Sequence, residues 1–243
     1  MRKVIPILLF SLIGLHARSE TFSIDSTVWT CQVHDAVITA GKNSISCLLD
    51  GERIPMDLPD GIVLKGVQPL GEGLAAIADK GILLFWDSPY DKARKTEVNI
   101  KGEFIGISSV SDRCHILTDC SEIISIDIAR QIRTFDFRKE YSGFYGNPQM
   151  VSIATGASSI YIAAVKEDGS PAVFTSSKGN VWSERELTWI ENGKQYRLDK
   201  KPVSISYEAD SDTFILVCED DVLFYLPACS HCNRPENYLN FAK

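Results

Sequence analysis

Compact catalytic signatures are what this chain most lacks. There is no HExxH zinc helix, no GxSxG nucleophile elbow, no Walker phosphate loop and no dinucleotide fingerprint. Histidine is scarce: of four residues, one lies in the first 19 positions, leaving His34, His115 and His231. His34 falls at a turn and His115 within a strand run, and neither stands beside a carboxylate, Ser or Cys at a catalytic spacing. Both are read as structural. Basic residues are short as well, 25 Lys and Arg against 32 Asp and Glu for a formal charge of −7. An acidic surface argues against nucleic acid or an anionic membrane as the main partner. No stretch reads as an amphipathic helix, and no low-complexity linker divides the chain.

Only one long apolar run is present, VIPILLFSLIGL, and it is N-terminal. At about 12 residues it is too short to span a bilayer, which takes about 20. Arg2 and Lys3 precede it, and Ala17-Arg18-Ser19 follows with small residues at the −3 and −1 positions of a cleavage site. Residues 1–19 are therefore expected to be a signal peptide cut near Glu20, with 20–243 exported to the periplasm or outside the cell. No cysteine follows closely enough for a lipid anchor. Removing Arg2, Lys3 and Arg18 takes the formal charge from −7 to −10. The remainder is long enough for one large β domain.

Short apolar runs recur to the end of the chain. AVITA, LAAIA, CHILT, IYIAAV and FILVC start at 36, 74, 114, 160 and 214. Each leads through a turn into a second run: SISCLL, ILLFW, IISIDI, AVFT and VLFYL. FIGIS, MVSIA and PVSIS precede the later pairs, with VLKGV and VWTCQV as looser matches. Small residues alternating with Ile or Val suit innermost strands, where space is short. Polar-edged fourth strands are expected at RIPMDL (53–58), TEVNI (96–100), IRTFDF (132–137) and VWSERELTWI (181–190). A β-sandwich or irregular barrel would also use period-2 strands, but the unit spacing matches the blade period of propellers. The expected fold is all-β: a β-propeller of five blades with about four antiparallel strands each. The last unit has no clear outer strand, so TFSID (21–25) is expected to complete it and close the ring.

The stretch from Thr175 to Trp182, TSSKGNVW, is the most specific local signal. Gly179 can take positive φ in a tight hairpin. The hydroxyls of Thr175 and Ser177 can bond nearby N–H groups, and Trp182 can fold back over the turn. This resembles the Asp-box (BNR-type) hairpin of sialidase-like and related β-propellers, [S/T]-x-D-x-G-x-x-W, with Ser177 where that family has Asp. The resemblance implies a propeller with the box on the blade rim, away from the ligand face. Sialidases of that type use an arginine cluster, a Tyr–Glu pair and an Asp, and none of those positions can be carried onto this sequence. Asp-box propellers that act in binding or assembly, such as the photosystem II assembly-factor type, are nearer in size.

Other local features read as structural. Trp86-Asp87 suits a core tryptophan beside a turn aspartate. Glu208, Asp210 and Asp212 lack the following Gly and distal Glu of a calcium loop. Seven cysteines leave at least one without an intramolecular partner. Cys229-Ser230-His231-Cys232 lacks the helix of a thioredoxin motif and the adjacent His of haem attachment. A structural disulfide between Cys229 and Cys232 is expected, with most other cysteines serving as small buried hydrophobes. Cys114 and Cys120 lie six positions apart, too far to pair within an extended strand.

The sequence thus points to a monomeric, exported, non-enzymatic binding module or assembly factor holding a protein or glycan on one face of the ring. No catalytic, metal or cofactor residue is assigned, and neither nucleic acid nor stable membrane insertion is expected. The alternatives are a sialidase-like glycoside hydrolase using scattered carboxylates and, more remotely, a thiol protein using the CxxC.

Overall fold

The computed structural model describes residues 28–228 and the backbone strand at 238–241. Residues 1–19, the 21–25 stretch, Cys229, His231 and Cys232 lie outside the described residues. Five four-stranded antiparallel sheets follow one another along the chain. Sheet I holds β1 (Trp29–Val33), β2 (Ala36–Gly41), β3 (Ser44–Leu49) and β4 (Glu52–Pro55). Sheet II holds β5 (Leu64–Leu70), β6 (Gly73–Ala78), β7 (Ile82–Trp86) and β8 (Arg94–Glu97). Sheet III is β9 (Phe104–Val110), β10 (Arg113–Thr118), β11 (Glu122–Asp127) and β12 (Ile132–Asp136), followed by helix α1 (Phe137–Tyr145). Sheet IV is β13 (Gln149–Thr155), β14 (Ile160–Val165), β15 (Pro171–Ser176) and β16 (Ser183–Glu184). A separate hairpin, β17 (Thr188–Glu191) and β18 (Lys194–Arg197), leads to sheet V: β19 (Pro202–Glu208), β20 (Thr213–Cys218), β21 (Val222–Pro227) and β22 (Tyr238–Phe241).

Burial explains the hydrophobic pattern. The central strands of sheets II, III and IV are buried on nearly every residue, as in ILLFW and IYIAAV, because each has a neighbouring sheet on both faces. In sheets I and V the central strands alternate between buried and half-buried positions, as in AVITAG and TFILVC. Four apolar cores lie at the seams I–II, II–III, III–IV and IV–V. Among the described residues no fifth core joins sheet V to sheet I.

The first strands of the sheets lie side by side, β1 on β5, β5 on β9, β9 on β13 and β13 on β19. Four of them share a β-bulge at the same place, skipping Lys65, Ile105, Val151 and Val203 in the pairing with the next strand. A Gly or Ser follows each bulge, at Gly66, Gly106, Ser152 and Ser204. These small residues permit close approach and cross-strand bonds. Ser152 Oγ accepts from the Ile205 N–H at 3.3 Å, and Ser108 Oγ accepts from the Thr155 N–H at 2.8 Å.

The first three strands of every unit fall where the sequence predicts them, and the outer strands differ. β16 is only two residues long, and the rest of the expected 181–190 strand divides into a connection and β17, which pairs with β18. The fourth strand of sheet V is β22, which pairs with β21. The edge expected to receive the N-terminal 21–25 strand is therefore already occupied by the chain's own C-terminal segment. Helix α1 is also unforeseen. Asp136 caps it by accepting from the Lys139 N–H at 2.9 Å, and Phe137, Tyr141 and Tyr145 repeat every fourth residue to form a stacked aromatic face. No helix among the described residues is long and apolar enough to cross a membrane.

Cys31, Cys47, Cys114, Cys120 and Cys218 are all free thiols. Cys31 and Cys47 both pair with Ile38 from opposite sides, so β2 separates them. Burial pushes the Cys31 thiol up to about 11 and Cys218 up to about 12, which keeps both protonated and unreactive at neutral pH.

A Cβ placed at Gly66 would meet Ile107 Cγ2 at 2.6 Å. Gly66→Val is therefore expected to destabilise the chain by about 1–3 kcal/mol through overpacking. Thermal melts should register the loss, and adding Ile107→Ala should restore part of it. An unchanged Tm in Gly66→Val would show that β5 and β9 are not in close contact.

Candidate functional site: a cationic cleft at the seam of two sheets

The turn between β15 and β16 crosses onto sheet III. Ser176 Oγ accepts from the Gly179 N–H at 2.8 Å and the Lys178 N–H at 3.3 Å. Trp182 Nε1 donates to the Gly179 carbonyl at 3.2 Å, and Gly179 has φ +78°. Trp182 is 2% exposed; its backbone N–H donates to the Tyr141 hydroxyl at 2.9 Å, and its ring meets Phe137 edge-on at 6.2 Å. The glycine and tryptophan play the parts their sequence positions suggest. The clamping hydroxyl does not come from Thr175 or Ser177. Thr175 pairs with Ser183 in the short ladder and Ser177 is exposed, which leaves Ser176 facing the turn amides.

Between this turn and sheet III lies a cleft of about 450 Å³, lined among others by Arg113, His115, Asp127, Arg133, Lys178 and Gly179. Arg113 opens β10, and its guanidinium donates to the Ala157 carbonyl of sheet IV at 3.3 Å. Arg133 and Lys178 are exposed and form no ion pair among the described residues. Asp127 Oδ1 caps its own turn by accepting from the Gln131 N–H at 2.9 Å. The lining thus holds three cations and one carboxylate, and Arg113 also pairs with Asp112 at 3.8 Å, in a chain of net negative charge.

His115, 2% exposed, forms part of the lining. Its Nδ1 is 3.1 Å from Thr155 Oγ1, and that hydroxyl donates to the Ser108 carbonyl at 3.3 Å. With its proton committed, the hydroxyl can only accept, so Nδ1 carries the hydrogen and Nε2 is left as an acceptor. Burial, and then the Arg113 charge, push His115 down to about 4, so the ring is neutral at physiological pH. The sequence reading of His115 as a structural, hydrogen-bonded residue describes Nδ1. It missed Nε2, because nothing local places sheet IV's turn beside β10.

The remaining sequence candidates stay apart. His34 sits exposed at the β1–β2 turn. In the β19–β20 turn Ser211 donates to Glu208, and Tyr207 donates to Asp212 at 2.9 Å. Trp86 is a core residue whose Nε1 donates to the Asp57 carbonyl at 2.9 Å, while Asp87 joins Arg94 and Arg130. Among the described residues no group of three or more His, Cys, Asp and Glu is arranged to hold a metal ion.

No family model matches the sequence, and no curated protein matches it. Solved structures do match in shape. YCF48 from Cyanidioschyzon merolae superposes with a TM-score of 0.62 at 10% identity, over 90% of this chain and 73% of that one. BBS1N in complex with ARL6DN gives 0.60 at 10% identity, over 88% and 66%. YCF48 bound to D1 peptide gives 0.56 at 11% identity, over 84% and 65%. This chain thus spans about two thirds of the last two. Likeness at this identity defines the fold alone. The fold is of the β-propeller type, with four-stranded antiparallel sheets as blades.

Two outcomes follow from this geometry. Trp182→Ala removes a packed aromatic and is expected to cost about 3–5 kcal/mol, measured by denaturant unfolding. Between about pH 6.5 and 4 the unfolded chain binds a proton at His115 that the folded chain does not. That contribution is whole above pH 6.5 and is lost as the pH falls towards 4, a change on the order of 3 kcal/mol. His115→Asn should flatten the pH dependence of stability across this window. An unchanged slope would mean that His115 titrates normally in the folded chain.

Proposed function

We propose that this chain is an exported, non-enzymatic propeller of five blades that binds a protein partner at the end of the sheets where the III–IV cleft opens. The observation that carries the reading is the cleft itself: three cations around a buried neutral imidazole, on a chain that is acidic elsewhere. Charged groups of one sign gathered in a concave site attract a partner of the opposite sign. The leader-like residues 1–19 support export to the periplasm or the outside of the cell. Two structures of similar fold carry a peptide and a protein in their descriptions, D1 peptide and ARL6DN, which is in keeping with a binding or assembly role. Of the two ligand classes the sequence left open, the arginine and lysine lining favours a charged polypeptide over a neutral glycan.

The test is a peptide array and a glycan array probed with the purified chain lacking residues 1–19, alongside a panel of chromogenic glycosides. Peptide binding without glycan binding or glycoside turnover is the expected result. Binding confined to glycans, or hydrolysis of any glycoside, would overturn the reading.

A further inference from the structure

We infer that the III–IV cleft seats an acidic peptide segment, with a carboxylate held by Arg113, Arg133 and Lys178 and a donor group of the same segment bound to His115 Nε2. The inference rests on the protein-binding reading above and names the chemistry of the partner. Two independent observations point to it.

The first is charge. Arg113, Arg133 and Lys178 come from the start of β10, from β12 and from the β15–β16 turn, so three separate elements converge their cations on one cavity. The one carboxylate of the lining, Asp127, accepts from the Gln131 N–H and keeps its charge, which still leaves the cations in excess. Arg113 is steadied by the Ala157 carbonyl and pairs with Asp112, which is not among the cleft residues, at 3.8 Å. Guanidinium groups suit carboxylates because two parallel N–H groups match two oxygens.

The second is the histidine. Its ring is buried and its Nδ1 is spoken for, yet Nε2 has no partner among the described residues. That nitrogen opens onto the cleft, where it can accept a hydrogen bond from a group bound there. Gly179 keeps that edge open. A Cβ there would lie 3.9 Å from Nε2 and 3.2 Å from Ser125 Oγ, capping the imidazole from the cleft side. Peptides supply both requirements together, a side-chain carboxylate and backbone N–H donors next to it. A second acceptor-only anion would leave Nε2 unsatisfied.

Fluorescence anisotropy with a labelled oligoglutamate tests this, using oligoglutamine as the uncharged analogue and a sialylated oligosaccharide as the acidic glycan. Oligoglutamate should bind, weakening as salt is raised, and oligoglutamine should bind at least about tenfold more weakly. Arg133→Ala with Lys178→Ala, both exposed and safe for folding, should weaken oligoglutamate by about tenfold and flatten the salt dependence. Lys194→Ala with Arg197→Ala, an equal charge change on the β17–β18 hairpin, should alter it by less than roughly twofold. His115→Asn keeps a donor for Thr155 but has no acceptor at the Nε2 position. It should weaken binding several-fold with the salt dependence intact. Absence of oligoglutamate binding, or equal losses in the two double variants, would overturn the inference. Preference for the sialylated glycan would overturn the peptide assignment. If array peptides bind but ignore the cleft substitutions, the protein-binding reading stands and this inference falls; if no peptide binds anywhere, both fall.

Discussion

At Gly66 the first strands of sheets II and III come so close that one added methyl carbon would lie 2.6 Å from Ile107. That approach sets the conditions for the whole molecule. Strands β5, β9, β13 and β19 are bent by bulges at equivalent positions, and the small residues after the first three, Gly66, Gly106 and Ser152, let the neighbouring strand pack or hydrogen-bond. Once the inner strands are side by side, the rest of each sheet is committed to stack face to face. The central strands of sheets II, III and IV are then apolar on both faces. None of these sheets could keep its residues from water alone, so stability lies in the seams between sheets, as in other repeat architectures.

A seam is also where the cleft forms. The III–IV core is crowned by the β15–β16 turn, held down by Trp182 against Phe137 and by the bond from its N–H to Tyr141 of helix α1. The same turn brings Lys178 and the side-chain-free Gly179 over His115. One short segment thus carries two duties. Its buried side anchors sheet IV, and its exposed side forms a wall of the binding cleft. The residue that stiffens the turn, Ser176, contributes through its hydroxyl to backbone N–H groups, so cleft geometry depends on main-chain bonds more than on flexible side chains.

The thiols fit the same economy of space. Cys47, Cys114 and Cys218 occupy buried strand positions where a small, weakly polar side chain fills volume without needing a strong hydrogen-bond partner. Their raised pKa values follow from burial, which disfavours the charged thiolate. Such positions suit packing and not redox exchange.

The sequence by itself determined the strand periodicity, the three inner strands of every unit and the Gly179–Trp182 turn, because each is encoded by neighbours along the chain. Alternation, β-branched runs and turn glycines act locally, and the five repeats of LAAIA–ILLFW type carried that signal clearly. Helix α1 had its own local mark in Asp136 and the Phe137, Tyr141, Tyr145 spacing, but it follows directly on a strand pattern that masked it. The outer strands were harder to read: at the periphery one face is solvated, so composition barely distinguishes VWSERE from a loop. The tertiary structure alone decided that β22 closes sheet V, that Ser176 and not Ser177 clamps the turn, and that His115 shares a cleft with Lys178, Gly179 and Arg133. The last of these joins residues far apart in the chain, and the distance between them is set by how one sheet rests on the next; the Ser176 clamp is local, but which of two adjacent serines faces the turn depends on the strand register.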